Sequence, residues 1–571
     1  MPTAALVAGA ALGALALLTG LSTGWAADNG GAFADMVRVA GYLGLFVLVV
    51  VAAPADSARF WLTGLAVGLA VVAALALGSR LQPSLLPSPD LSEVFPSARA
   101  RLAYPLDYWN GLGAVAAIGI ALLAWLGADA RTRAGRAAAT ALIPVPALVL
   151  YFTSSRGGAL SAAVGVVVLL ALGPARARTG AALVLGGGAS AVLISIAAGQ
   201  EALRENALNS TAAGQGDDLT LALLVAIVAV AALRLAVDGP LQRFQPPRLS
   251  RPAALAAAGA AVIAVAIAII AASPGERLDE FNDPPGSGGA APGGVIASDF
   301  SRGGSGGRWQ FWGAALDAFE QRPALGIGAS DYESWWNRKG SIRFFVRDAH
   351  SLYLETAGEL GIAGLTLLLT FMATPFVVLA RRREPASGAG AAAAVLACAA
   401  VTAAFEWTWE LTAAFAPFVF AAALVCGPAL GPAGERRDRF GWGIATLCAA
   451  WAAIIVAAIS LLADARIEDS REAARKGDLA TAEDTARDAR AIEPWAAEPR
   501  LQIALVRELR RDLDGAIRQI RAAIDRSPED WRLWLVRARL ETRAGNLPAA
   551  RRALAEARRL NPRFPLFERP S

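Results

Sequence analysis

A succession of apolar runs limits what this chain can fold into. A helix of about 20 apolar residues crosses the roughly 30 Å of hydrocarbon in a bilayer. The chain is 55% hydrophobic with a mean hydropathy of +0.45. We expect thirteen spans, near residues 3–22, 36–54, 59–78, 109–127, 137–153, 157–173, 179–198, 219–237, 253–272, 361–380, 389–405, 411–429 and 441–462. The predicted fold is an all-α, polytopic transmembrane helix bundle.

Short arginine-rich segments between the runs predict the topology. They lie at 131–136, 174–178, 234–251, 381–383 and 435–439, all on one side of the predicted bundle. Cytoplasmic loops are enriched in Lys and Arg, so this side is cytoplasmic. The net charge of +5 is thus explained by topology, and we expect no nucleic-acid partner. The prediction is a multi-pass protein of the cytoplasmic (inner) membrane, in contact with its lipids.

The same topology predicts the sides of the membrane on which the N-terminus and the long loop lie. The first run has no basic residue before it, which favours a retained membrane helix over a cleaved signal peptide. The N-terminus is then inside. The long segment 273–350 is an extracytoplasmic loop, and "RWQFWGAALDAFEQ" within it has the spacing of an amphipathic helix at the membrane surface. We assign residues 1–463 to the membrane domain.

Residues 464–571 are charged, alanine-rich and repetitive. Four columns recur every 34 residues: Pro494, Pro528 and Pro562; Leu479, Leu513 and Leu547; Ala482, Ala516 and Ala550; Ala489, Ala523 and Ala557. This period resembles the tetratricopeptide repeat. We therefore predict an extracytoplasmic helical repeat domain, whose surface offers a site for a protein partner.

The only histidine, His350, begins the stretch "HSLYLETAGELGIAG". This H-S-x9-G-x-x-G pattern at the outer end of a late span resembles the O-antigen ligase family. Its relatives are the O-antigen polymerases and the pilin-type oligosaccharyltransferases. Three further stretches fit the resemblance: "YPLDYWNGLGAV" (104–115), "TSSRGGAL" (153–160) and "GRWQFWGAALDAFEQRPALGIGASDY" (307–332).

The resemblance implies transfer of a glycan from an undecaprenyl-diphosphate carrier to a glycan, lipid or protein acceptor outside the cytoplasmic membrane. It implies no cofactor and no metal. His350 is the candidate catalytic base, because a neutral imidazole accepts a proton near neutral pH. The candidate ligands of the carrier diphosphate are Arg156, Arg308, Arg302, Arg347 and Arg343. The candidate supporting residues are Glu355, Glu359, Tyr104, Tyr108 and Asn110.

Several alternatives remain open at this point. A polymerase of the same family extends a carrier-linked chain instead of loading a different acceptor. A lipid-linked glycan flippase or transporter, or an inactive membrane scaffold, belongs to another class. Arg156, Arg343 and Arg347 also suit binding to lipid headgroups. Glu406 and Glu410, in "EWTWE", are expected to be solvated in an outer turn.

Overall fold

The computed structural model describes residues 2–86, 100–243, 306–382, 388–431 and 440–567. These residues form helices joined by turns, so the predicted all-α class is confirmed. The helices before the long loop are α1 (Thr3–Leu21), α2 (Asn29–Ala52), α3 (Ala58–Leu81), α4 (Trp109–Asp129), α5 (Arg133–Leu142), α6 (Pro144–Thr153), α7 (Arg156–Leu172), α8 (Arg176–Gly199), α9 (Glu201–Arg204) and α10 (Ser210–Arg243).

The remaining helices follow the long loop. They are α11 (Arg308–Gln321), α12 (Tyr332–Lys339), α13 (Leu352–Arg381), α14 (Ala389–Phe405), α15 (Thr412–Cys426), α16 (Phe440–Arg475), α17 (Leu479–Ile492), α18 (Glu498–Leu509), α19 (Leu513–Ile524), α20 (Trp531–Arg543) and α21 (Leu547–Leu560).

Eight helical segments among the described residues are long and apolar enough to cross a membrane. Three shorter apolar helices, α7, α14 and α15, accompany them. These eleven segments coincide with eleven predicted spans, one of which is the pair α5 and α6, divided at Pro144. The protein is therefore an integral membrane protein. The span predicted at 253–272 lies outside the described residues, and the one at 441–462 lies within α16.

The chain divides into two compact units. The first unit comprises Met1–Ala5, Val49–Gly306 and Met372–Arg436. The second comprises Leu6–Leu48, Gly307–Phe371 and Arg437–Ser571. The domain boundary predicted at 463/464 lies within the continuous helix α16 and stays a prediction.

Close packing of small residues holds the first unit together. Helix α4 is buried along most of its length and contacts α3, α6, α7 and α14. Between α7 and α14, the Ser161 hydroxyl donates to the Cys398 carbonyl at 2.7 Å, and the Thr402 hydroxyl donates to Ser161 Oγ at 3.0 Å. Small side chains let helix backbones approach, and interhelical hydrogen bonds of this kind then stabilise the pair in a membrane.

A buried ion cluster joins α5 and α10 in the same unit. Arg136 makes two hydrogen bonds to the Asp238 carboxylate, at 2.8 and 2.6 Å, and Arg234 makes a third at 2.7 Å. Arg234 also donates to the Gly127 carbonyl at 2.9 Å. Charges away from water persist only when they are paired and hydrogen-bonded. Arg136 and Arg234 belong to the arginine-rich segments that predict the cytoplasmic side. Their hydrogen bonds also join neighbouring helices.

The second unit contains an aromatic core formed by the end of the long loop. Helices α11 and α12 pack through Phe311 and Trp336, whose rings meet edge to face at 5.0 Å, with Tyr332 and Val346 buried beside them. Trp309 and Leu316, on the other face of α11, are exposed. The position of this helix at the membrane surface stays a prediction.

The C-terminal helices repeat with the predicted period. Asp478, Asp512 and Asn546, spaced by 34 residues, each accept a hydrogen bond from the backbone amide three residues later. Side-chain caps of this type begin helices α17, α19 and α21. The alanine columns lie on the buried faces. The assignment to the tetratricopeptide family stays a prediction.

Candidate functional site

His350 lies in the second unit, in the turn that precedes α13. Its backbone is left-handed, with φ of 54°. The imidazole Nδ1 is 3.0 Å from the carbonyl oxygen of Asp348. We assign the Nδ1 proton from this contact, since a carbonyl only accepts. The neutral ring then carries its basic lone pair on Nε2, the nitrogen suited to accept a proton from a hydroxyl.

Two aromatic residues of α11 hold this turn. Trp312 Nε1 donates to the His350 carbonyl at 3.4 Å. The Phe311 ring centroid lies 5.4 Å from that of the imidazole. The side chain remains partly exposed. The structure thus places a half-buried imidazole on a turn held by two aromatic residues. Its role as a catalytic base stays a prediction.

Both glutamates of α13 that the sequence analysis named as supporting residues accept hydrogen bonds from backbone amides of the loop. Glu355 Oε2 accepts from the backbone amide of Ala349 at 2.6 Å, directly before His350. Glu359, which is buried, accepts from the amide of Tyr332 at 3.0 Å. Their contacts therefore position the histidine turn and the start of α12. Their roles in a reaction stay predictions.

Gly361 is the first of the two motif glycines that follow the histidine. Gly361 interrupts α13 with φ of 64° and ψ of −162°. A β-carbon there would lie 2.5 Å from the carbonyl carbon of Ala324. The two backbones are joined by hydrogen bonds from Ile327 to Gly358 (3.0 Å) and from Ile362 to Pro323 (2.8 Å). Only glycine fits this kink at no steric cost, which explains the first glycine of the motif.

Burial raises the pKa of two carboxyl groups in the second unit, those of Asp348 and Asp331. Burial raises the pKa of the Asp348 carboxyl to about 6, while the charge of Arg347 acts in the opposite direction. Burial also raises the pKa of Asp331 to about 7, against the effect of hydrogen bonds from the amides of Ala27 and Asp28. The sequence pattern gave no sign that Asp331 is buried, since its partners are about 300 positions away.

The predicted diphosphate ligands divide between the two units. In the second unit, Arg308 is the first residue of α11 and is partly exposed. Arg343 and Arg347 are exposed, and Arg347 Nε lies 3.6 Å from a Glu333 carboxylate oxygen. Arg302 lies outside the described residues. The role of these arginines in binding a diphosphate stays a prediction.

Arg156 lies in the first unit, at the first position of α7, and is exposed. The turn before it is tightly held. Ser154 is left-handed, with φ of 54°, and the Ser155 hydroxyl caps α7 by accepting from the Gly158 amide at 3.1 Å. A β-carbon on Gly158 would lie 2.9 Å from the backbone of Gly113. The arginine therefore extends from a turn that has little freedom to move.

The other three predicted residues of the first unit lie around the start of α4. Tyr108 and Asn110 meet at one carboxylate: Tyr108 Oη donates to Glu406 Oε2, and Asn110 Nδ2 donates to Glu406 Oε1 at 3.0 Å. Asn110 Nδ2 is also 3.2 Å from Tyr108 Oη, which closes a triangle of hydrogen bonds. Tyr104 is partly buried in the loop that leads to this triangle.

The expectation that Glu406 is solvated is wrong. Glu406 is only 2% exposed, because the segment after α14 folds back onto the start of α4. The Trp407 ring covers Tyr108, with centroids 4.1 Å apart. An ionisable residue within or at the end of an apolar span is a functional candidate. This signal was present in "EWTWE", but the two donors that bury the carboxylate are far away in sequence.

Comparison with known proteins agrees with the motif around His350. Residues 219–369 match the family model described as O-antigen ligase. The matched segment contains His350, Arg308, Gly361 and both supporting glutamates. It covers a minority of the chain and leaves out Arg156 and the Glu406 triangle. No curated protein matches the chain significantly.

The ligase match supports glycan transfer of the O-antigen ligase or polymerase type at the level of the family. It supports an enzyme that works in a membrane with a lipid-linked glycan donor and an acceptor.

Proposed function

We propose that the protein transfers a glycan from an undecaprenyl-diphosphate carrier to an acceptor on the outer side of the cytoplasmic membrane. The observation that carries this proposal is the geometry of His350 within the ligase-matched segment. Nδ1 faces a carbonyl that fixes the tautomer, so the basic lone pair of the neutral ring lies on Nε2. The proposed orientation of the protein in the membrane rests on the arginine-rich segments on one side of the predicted bundle.

The proposed step is a single displacement at the anomeric carbon of the donor glycan. The acceptor hydroxyl gives its proton to His350 Nε2 while its oxygen attacks that carbon. The bond from the carbon to the diphosphate oxygen breaks, and the carrier diphosphate leaves with the electron pair. Arg308 supplies positive charge for this anion in the second unit, and Arg156 is the proposed carrier-binding residue of the first.

The acceptor is proposed only by chemical class: a glycan, lipid or protein that presents a hydroxyl. The repeat helices are proposed to bind a protein partner, because stacked helical repeats form extended surfaces. We also propose that transfer needs no metal and no cofactor. Ligase and polymerase differ only in whether the acceptor is itself a carrier-linked chain.

The test is a complementation experiment in the native host. A deletion strain receives wild type, His350→Asn or Ser341→Ala at matched membrane abundance. Asparagine tolerates the left-handed backbone at position 350 better than other non-glycine residues and has no basic nitrogen. Ser341 is an exposed residue of the same loop and serves as the control. Carrier-linked glycan and finished envelope glycan are then measured.

We expect His350→Asn to accumulate carrier-linked glycan as the deletion does, whereas Ser341→Ala resembles wild type. Full-length glycan on the carrier indicates a ligase, and single repeat units on the carrier indicate a polymerase. Wild-type glycan in the His350→Asn strain contradicts the proposed mechanism. Carrier-linked glycan trapped on the cytoplasmic face in the deletion strain supports a flippase instead.

A further inference from the structure

Glu406 carries a buried carboxylate that the proposed chemistry has not used. It follows the last residue of α14, where its amide donates to the Thr402 carbonyl at 2.9 Å. Moving a carboxylate out of water is costly unless hydrogen bonds compensate. Tyr108 and Asn110 each donate to a different oxygen of this carboxylate, so it is built into the unit and is not an accidental burial.

The carboxylate side chain lies against the turn that carries Arg156. A β-carbon on Gly157 would lie 4.0 Å from Glu406 Cγ, which is ordinary van der Waals contact. Gly157 is the residue next to Arg156, in the first turn of α7. The N-terminus of a helix carries partial positive charge and favours a nearby anion. The Glu406 side chain therefore lies beside the base of the turn from which an exposed cation extends.

A contact that served packing alone would be better made by an apolar side chain. Replacing a buried charge by a hydrophobic group of similar volume is often neutral or stabilising. The backbone of the turn is already held by the Ser155 cap and by the approach of Gly158 to Gly113. The negative charge thus adds an electrostatic constraint to a turn whose backbone is fixed by other means.

We propose that Glu406 is a positioning residue for Arg156, and that Tyr108 and Asn110 hold the carboxylate that does this. The inference rests on the proposed role of Arg156 in binding the carrier diphosphate. Tyr108 and Asn110 then contribute to binding through Glu406. Glu406 acts through the arginine and does not touch the donor.

The test measures binding of undecaprenyl diphosphate to the purified full-length protein in nanodiscs. The variants are Glu406→Gln, Arg156→Ala and the double variant, with Asp107→Asn as the matched control. Glu406→Gln keeps the side-chain shape and removes the charge. Asp107→Asn makes the same change at an exposed position one residue before Tyr108, and asparagine tolerates its φ of 54°.

We expect Glu406→Gln to raise the Kd for undecaprenyl diphosphate about tenfold, whereas Asp107→Asn changes it less than twofold. In the Arg156→Ala background the glutamine substitution has no further effect, since residues that act through one another are non-additive. In transfer assays, KM for the carrier-linked donor rises while kcat changes little. Tyr108→Phe, which keeps the charge and removes one donor, gives a smaller increase of about threefold.

Three outcomes overturn the inference. Unchanged or tighter binding by Glu406→Gln means that the charge does not position the arginine. An equal loss with and without Arg156 means that Glu406 acts through the fold. Wild-type binding by Arg156→Ala removes the proposed role of Arg156 itself, so it overturns that part of the proposed function as well. If Glu406→Gln fails to accumulate in the membrane, Tyr108→Phe replaces it. Its effect on binding is then compared in the wild-type protein and in Arg156→Ala.

Discussion

Arg563, close to the end of the repeat helices, donates from Nη2 to the carbonyl oxygen of Trp336 in α12 at 3.0 Å. The same nitrogen donates to the Asn337 carbonyl at 3.0 Å. Trp336 Nε1 in turn donates to the carbonyl of Phe344 at 2.7 Å, six residues before His350. Within the second unit, the repeat helices are therefore tied by hydrogen bonds to the loop that carries the candidate base.

Charged pairs reinforce the same attachment. Arg532 Nη1 of α20 lies 3.2 Å from a Glu333 carboxylate oxygen, and Arg338 of α12 pairs with Glu529. These pairs are partly exposed, and exposed pairs contribute little stability on their own. The hydrogen bonds of a cation to buried carbonyls are worth more, roughly 1.5–3 kcal/mol each. Arg563 is thus the contact whose loss is expected to matter most.

Arg563→Ala is expected to loosen the loop segment 332–346 without unfolding the repeats. The carbonyls of Trp336 and Asn337 lose their donor, so the backbone there opens more readily. Hydrogen exchange of peptides from this segment should accelerate several-fold. Arg552→Ala, which removes an exposed arginine of α21, is the control. Equal exchange in both variants would show that the attachment does not stabilise the loop.

Gly361→Ala is expected to destabilise the protein severely. The β-carbon meets the Ala324 carbonyl carbon at 2.5 Å, and the left-handed backbone adds strain of about 1–3 kcal/mol. Gly313→Ala is a control in α11, where a β-carbon meets nothing within 4 Å. Alanine there favours the helix by up to about 1 kcal/mol. Thermal unfolding of the two purified variants checks this, and a stable Gly361→Ala protein contradicts the kink.

Asp331 is expected to make the protein less stable as pH rises from about 4 to about 7. Burial raises the pKa of this carboxyl to about 7 in the folded chain, from 3.8 for the ordinary group. Within that window the folded state holds a proton that the unfolded chain has released. The free energy of unfolding then falls with pH, by at most about 1.4 kcal/mol per pH unit.

The unfolding temperature of wild type and Asp331→Asn across this pH range measures the effect. The variant should show a flatter dependence. Its absolute stability is lower, because asparagine offers one acceptor oxygen for the amides of Ala27 and Asp28. Parallel pH profiles for the two proteins would mean that Asp331 is ionised throughout.

Removal of divalent metal is expected to leave glycan transfer unchanged within about twofold. The reason is that the proposed diphosphate ligands are arginines, which neutralise the leaving anion without a bridging Mg²⁺. Transfer in reconstituted vesicles, with EDTA and with added Mg²⁺, tests this expectation. A loss that Mg²⁺ restores would replace the arginine hypothesis with a metal-bridged diphosphate.

The sequence alone identified the features that depend on local patterns. Apolar length predicted eleven helical segments that the structure contains, and the 34-residue period found in the sequence recurs in the capped starts of three helices. The spacing after His350 led to the family that the match supports. These features follow from hydropathy, periodicity and short motifs, and all of them can be evaluated within a few dozen consecutive residues.

Only the tertiary structure decided how distant segments meet. Tyr108 and Asn110 bury Glu406 from positions 298 and 296 residues away, which reversed the expectation of a solvated side chain. Gly361 is left-handed because the Ala324 backbone runs against it, and Asp331 is buried by the chain near Asp28. Spacing along a chain carries no record of such pairings. They arise from packing in three dimensions, where burial and hydrogen bonding decide which polar groups are solvated and which are held in the interior.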